Sequence, residues 1–157
     1  MSEAVDLEVT SGPSVATVFT HEELDYLDSQ RIGRLATSQP DGTLQNNPVG
    51  FGVNRDLGTI DIGGFNMSRS RKFRNVAENG RAAFVVDDVY SVDPWRVRLL
   101  EIRGRAEAIA EPADASDQMG SSAIIRLHPT RILSVGLERG DLDVEPHAAP
   151  LRRRDVG

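Results

Sequence analysis

The sequence predicts a mainly β fold: a small barrel of six antiparallel strands with a few short helices. Three observations carry that reading. Six short segments, 31–38, 44–54, 59–65, 81–89, 97–109 and 130–137, have the alternating or continuous apolar pattern of strands. Turn chemistry separates them, and a single strongly helical stretch interrupts the series after the third. Closing six such strands into a barrel removes the edges that an open sheet would expose. At 157 residues the chain is long enough for one domain with a real core.

The elements follow in order. Residues 1–18 read as a flexible arm without apolar periodicity. Thr20 and Glu23 then make a capping box, with Phe19 and Leu24 as the hydrophobic staple, so a short helix is expected over about 21–29. "RIGRLATS", the turn "QPDGT" and "LQNNPVGFGVN" form a hairpin. "TIDIGGF" is the third strand, and "RAAFVVDDV" has the apolar run of a strand covered on both faces. In "VRLLEIRGRAEAI", Leu100, Ile102, Ala106 and Ala108 share a face, and Gly104 marks a bend or a close approach. "TRILSVGL" is the sixth strand, and a short helix or excursion is expected in the stretch 111–128 that precedes it. The barrel domain thus spans 19–137, and 138–157 reads as a mobile tail whose three arginines are solvated.

The helix after the third strand concentrates the chemistry. "SRSRKFRN" places Arg69, Arg71, Lys72 and Arg74 within six positions of a chain of net charge -6, and Lys72 is the only lysine. Ser68 or Ser70 caps this helix, Phe73, Val76 and Ala77 recur at i, i+3 and i+4, and Asn79-Gly80 stops it. The cations therefore occupy the first turn, where the positive end of the helix dipole disfavours them by a few tenths of a kcal/mol, on the order of 0.3–1 at most. A bound anion reverses that sign, because charged donors and unpaired backbone N–H groups then converge on one group. The placement points to an anion site rather than a solvated basic face.

Other sites are thin. There are no cysteines, which excludes disulfides, thiolate metal sites and thiol nucleophiles and agrees with a reducing compartment. No apolar run reaches membrane-spanning length and the N-terminus has no signal-peptide pattern, so a soluble, cytoplasmic protein is expected. His21, His128 and His147 lack metal-ligand spacing, and Asp87-Asp88, at the close of a strand, point to opposite faces. "VGFGVN" lacks the third glycine and the helix of a dinucleotide fingerprint, and no Gly-x-Ser-x-Gly occurs. If the protein is an enzyme, its reactive atom then belongs to a cofactor. Aromatic residues make up 5% of the chain, which together with its negative charge argues against a nucleic-acid-binding barrel.

"SRK" at 70–72, followed by "ENGR" at 78–81 and an apolar strand, resembles the phosphate-binding pattern of the pyridoxamine 5'-phosphate oxidase-like split β-barrels, the FMN-binding split barrels. "RIGRLATSQPDGT", "PVGF", "VVDDV", "PWRVR" and "EIRGRAEAI" are similar to the actinobacterial branch of that superfamily that uses the deazaflavin cofactor F420. The resemblance implies a homodimer with cofactor sites built from both chains. It makes Ser70, Arg71 and Lys72 the phosphate-binding triplet, sets Pro48, Val49 and Gly50 beside the ring system, and leaves Arg69 and Arg74 to steer or extend the cradle. Trp95, in the "PWRVR" match, joins the cofactor-contacting set. Asn47 and Gly52 stand where the oxidases carry an Arg and a Lys, Leu99 follows Arg98 where they carry Gln, and their C-terminal Trp and Arg motif has no counterpart. Pyridoxamine phosphate oxidation is therefore disfavoured, and an F420-dependent oxidoreductase that transfers a hydride to a small organic acceptor is the expected function. An FMN-binding reductase or oxidase, and a non-catalytic cofactor- or tetrapyrrole-binding module, are the alternatives. No catalytic side chain is assigned. Glu101 and Arg103, on the strand face opposite the apolar one, read as solvated.

Overall fold

The structure is a computed structural model that describes residues 18–112 and 123–157; the N-terminal arm up to residue 17 and most of the excursion expected before the last barrel strand lie outside them. Helix α1 (His21–Ser29) starts at the expected box, with the Glu23 N–H donating to Thr20 Oγ1 at 3.2 Å and the Thr20 N–H donating to the Glu23 carboxylate at 3.0 Å. Strands β1 (Ile32–Ser38) and β2 (Leu44–Gly50) form the hairpin. β3 (Gly52–Asn54) and β4 (Thr59–Ile62) follow, then a 3-10 turn at Met67–Arg69 and helix α2 (Arg71–Asn79). The long strands β5 (Arg81–Val92), β6 (Trp95–Ile109) and β7 (Ile124–Val135) complete the body, and β8 (Arg152–Asp155) closes the chain.

The strands hydrogen-bond in the order β2-β1-β5-β6-β7-β4-β3, with β8 also on β7. β2 and β3, at the two ends of that path, are joined in the chain by the single residue Phe51. The sheet must therefore curl until its edges meet, which is the split barrel. The expected returning strand is thus two strands: it pairs with β1 up to Gly50 and with β4 from Gly52. At the joint the Phe51 ring packs edge-on against Phe84, centroids 5.0 Å apart. Inside lie Leu35, Phe84, Val86, Leu100, Ile102, Leu127 and Ile132, all nearly inaccessible. Their alternation along β1, β5 and β6 buries one sheet face and leaves the other outward, while β7, flanked by β6 on one side and by β4 and β8 on the other, is buried along most of its length.

Gly104 sits at a register shift between β6 and β7, where an added Cβ would lie 1.9 Å from the His128 carbonyl oxygen, so the expected close approach is between two backbones. Three expectations give way. β5 runs on past Asp87-Asp88 to Val92, because both aspartates find arginine partners on opposite faces and the ladder with β6 continues. The last barrel strand begins at Ile124, six residues early. The tail is not loose: β8 pairs Arg152–Asp155 with Arg131–Ser134, and its arginines bind carboxylates, Arg152 that of Asp141 (2.8 Å for one contact) and Arg154 that of Glu23 on α1.

Candidate cofactor site

At the start of α2 the chain turns through Asn66, whose left-handed φ of 53° leads into the 3-10 turn, and then extends at Ser70. Ser70 is the N-cap. Its hydroxyl accepts from the Phe73 N–H at 3.2 Å and donates to the Met67 carbonyl at 2.7 Å, so it is committed to shaping the turn. The N–H groups of Arg71 and Lys72 make no hydrogen bond to another described residue. Among the described residues none of Arg69, Arg71, Lys72 and Arg74 forms an ion pair, whereas Arg34, Arg98, Arg103, Arg126, Arg131, Arg152 and Arg154 all do. The carboxyl of Asp41, in the β1–β2 turn, is held below the usual range chiefly by the Thr43 N–H, with a smaller contribution from the Arg71 charge. Gly80, in the left-handed conformation at φ 69°, ends the helix, and its carbonyl accepts from the Ala106 N–H at 2.8 Å.

The face that α2 turns to the sheet differs from the one its apolar spacing suggests: Asn75 and Val76 are buried, while Ala77 is exposed. Asn75 is completely buried. Its Nδ2 donates to Thr37 Oγ1 on β1 at 3.0 Å and to Gln45 Oε1 on β2 at 3.3 Å, and its Oδ1 has no partner. One turn on, Asn79 Nδ2 donates to the Ser38 carbonyl at 2.7 Å. The sequence marks Asn79 as part of the helix stop but does not single out Asn75, because apolar periodicity does not register a buried amide.

Asn75 thereby ties the basic helix to the strand that carries Pro48, Val49 and Gly50. β2 pairs only with β1, so its other edge offers backbone groups to a ligand, and Pro48, which has no N–H, suits such an edge. Val49 turns inward and is buried; Pro48 and Gly50 are exposed. A Cβ built on Gly50 or on Gly52 meets nothing within 4 Å. Beside Gly52, a cleft of about 540 Å³ opens between Phe51–Val53 and the end of α1, Leu27–Arg31. Unpaired cations and two free N–H groups at one element, and an unobstructed strand edge at the next, fit a cofactor that joins a phosphate to a flat ring.

Other predicted residues lie elsewhere. Trp95 opens β6 at the tip of the β5–β6 hairpin, exposed, eleven residues from the Ala106 that touches the end of α2. At about 3.3 Å per residue that separation is on the order of 35 Å, so within one chain Trp95 does not reach the α2 site. Arg98 is committed: Asp88 takes it with two hydrogen bonds, 2.9 and 2.7 Å, and it lies against the rings of Tyr26 and Tyr90. That bonding holds the Asp88 carboxyl low, while burial and then the hydrogen bond it donates to Asp88 push the Tyr26 hydroxyl up. Arg103 pairs with Glu101 at 2.5 Å on the outward face, where its side chain is solvated as expected. No group of three His, Asp or Glu side chains able to hold a metal occurs among the described residues, and none of their helices is long and apolar enough to cross a membrane.

Comparison with known proteins agrees with this architecture. The family model for pyridoxamine 5'-phosphate oxidase matches residues 19–139. A 5a,11a-dehydrotetracycline/5a,11a-dehydrooxytetracycline reductase of Streptomyces rimosus is 45% identical over 139 residues, covering 88% of this chain and 97% of that protein. Among solved structures, a conserved hypothetical protein of Mycobacterium tuberculosis superposes with a TM-score of 0.59 at 22% identity, over 79% of this chain and 89% of its own. An FAD binding protein of Mycobacterium smegmatis gives 0.57 at 21% identity, over 89% and 99%. The fold, the extent of the family match and the reductase relative together place this chain in the pyridoxamine 5'-phosphate oxidase family, as an oxidoreductase.

Proposed function

We propose that the protein is an F420-dependent reductase that passes a hydride to an electron-poor alkene at the interface of a homodimer. The observation that carries this reading is the basic start of α2, where Arg71 and Lys72 bring charges without ion-pair partners and free N–H groups to the first turn of one helix. When bound, the deazaflavin supplies a hydride carrier of two-electron character. The chain's part is to hold and orient: α2 grips the phosphate, and the edge of β2 at Pro48–Gly50 lies beside the ring. FMN is the lesser candidate because Asn47 and Gly52 leave the ring strand without flanking cations. From Leu44 to Gly52 that stretch carries no titratable side chain, so it supplies no proton donor to complete the reduction.

The acceptor class follows from the Streptomyces rimosus relative, whose named substrates are 5a,11a-dehydro compounds, that is, polycycles with a carbon–carbon double bond at that position. The dimer reading is supported by the outward sheet face. Arg34–Asp87, Glu101–Arg103 and Arg131–Asp155 are paired within the chain beside Ala36, Ala83, Val85 and Leu99, so a second copy can cover this face without stranding charge.

The test is anaerobic mixing of the protein with reduced F420 and a 5a,11a-dehydrotetracycline. Catalytic oxidation of the cofactor, one equivalent per alkene reduced, is expected. Binding of F420 without turnover on this or any other activated alkene or quinone would make the protein a carrier and sink the reductase reading.

A further inference from the structure

We propose that Asn75 is a positioning residue for the anion cradle: its buried hydrogen bonds to Thr37 and Gln45 set the height and rotation of α2 so that Arg71 and Lys72 converge on one phosphate. This rests on the cofactor site described above and adds to it the residue that aims the site.

α2 has little apolar surface with which to dock. Of its nine residues only Phe73, Val76 and Ala77 are apolar, Ala77 faces solvent and Phe73 is half-buried. Apolar contact of that size holds a helix against a sheet but allows it to roll and slide, since burial is non-directional. Hydrogen bonds are directional, and α2 makes them through two asparagines one turn apart: Asn75 to Thr37 and Gln45, Asn79 to the Ser38 carbonyl and, at 3.3 Å, its hydroxyl. Asn75 is the more telling, because an amide with 0% exposure is costly to bury and this one leaves its Oδ1 unpaired. A leucine of the same branched shape would bury no unpaired Oδ1, so what the amide contributes here is the pair of directional bonds to Thr37 and Gln45.

What the amide does is geometric. Arg71 precedes Asn75 by four residues and Lys72 by three, so both share its face of the helix one turn closer to the N-terminus. Fixing Asn75 between β1 and β2 therefore fixes the direction in which both cations leave the helix. It also ties them to the strand of Pro48–Gly50, because Gln45 lies on β2, three residues before Pro48. One junction thus registers the phosphate end of the site against its ring end.

The experiment separates aiming from folding by comparing ligands with and without the phosphate; FMN and riboflavin differ in nothing else, while the F420 pair differs also in the tail beyond the phosphate. Equilibrium affinities are measured for F420 against its phosphate-free deazariboflavin chromophore, and for FMN against riboflavin, with wild type, Asn75→Leu, Thr37→Val, Thr37→Ser and Lys72→Ala. Thr37→Val removes the hydroxyl acceptor at nearly constant volume, and covers the case in which Asn75→Leu fails to fold. If Asn75 aims the cradle, Asn75→Leu and Thr37→Val weaken the phosphorylated ligand about tenfold and its phosphate-free counterpart less than about twofold. Thr37→Ser restores the ratio. A uniform loss for both members of a pair, or no loss, overturns the inference. Lys72→Ala distinguishes the two levels of the claim. If it leaves the phosphate preference intact, or wild type binds neither phosphorylated cofactor, the cradle itself is wrong; if it abolishes the preference while the junction variants do not, only the role of Asn75 falls.

Discussion

Lys72 is where a ligand site and a solvated basic face predict effects of different sign. Removing a charge-assisted contact to phosphate costs roughly 1.5–3 kcal/mol, so Lys72→Ala should weaken F420 about ten- to a hundredfold by fluorescence titration. The same change takes a cation off the positive end of α2, so the apo protein should keep its Tm or gain slightly. Gly50 tests the other end of the site. A side chain there enters open space and meets no protein atom within 4 Å, so Gly50→Val should leave the apo Tm within about 2 °C of wild type and yet reduce ring binding, for the phosphate-free chromophore as well as for F420. Of the site residues, those whose chemistry is local were legible in the sequence. The cap at Ser70 and the cations after it follow from spacing along one helix. Asn75 was not legible, because its value depends on Thr37 and Gln45, 38 and 30 residues away.

The tail and the α1 anchor show what limits the reading of whole elements. β1, α1 and α2 carry their own boundaries as caps and turns, and the structure places them as expected. β8 has only the pattern "RRRD", which reads as a solvated run until Asp141 pairs with Arg152, Glu23 of α1 with Arg154, and Arg131 of β7 with Asp155. Truncation after Leu137 should lower the apo Tm by at least about 2–4 °C, since it strips the ladder from β7, the Val156 contact with the core and the Arg154 link to Val18 and Glu23. A loose tail would leave the Tm unmoved. Acid should act on the same elements. The carboxyls of Asp88 and Asp141 are lowered first by their arginine partners, Arg98 and Arg152, so the stability they contribute is complete above the ordinary aspartate range near pH 3.9 and is lost as pH falls through their depressed folded values. Acid unfolding followed by circular dichroism should begin at higher pH in Asp141→Asn than in wild type if this clasp holds the fold, and at the same pH if it does not.

The molecule as a whole joins a closed core to an open outer face, and the chain order explains both. Phe51 links the two ends of the hydrogen-bonded path, so one face of the curled sheet is buried within the chain and the other faces outward. Light scattering at micromolar concentration should give twice the 17.1 kDa chain mass, and Val85→Glu on the outward face should shift it toward the monomer and weaken F420 in parallel. A monomer that binds the cofactor at full strength would remove the shared interface from the account.

A phosphate cradle for a deazaflavin at the start of α2 is open to a side-by-side equilibrium titration of wild type and Lys72→Ala with F420 and FMN, with the apo Tm of each protein measured alongside. The account predicts that wild type binds F420 more tightly than FMN, that Lys72→Ala loses about ten- to a hundredfold toward F420, and that its apo Tm does not fall. Unchanged affinities together with a lowered apo Tm would contradict it.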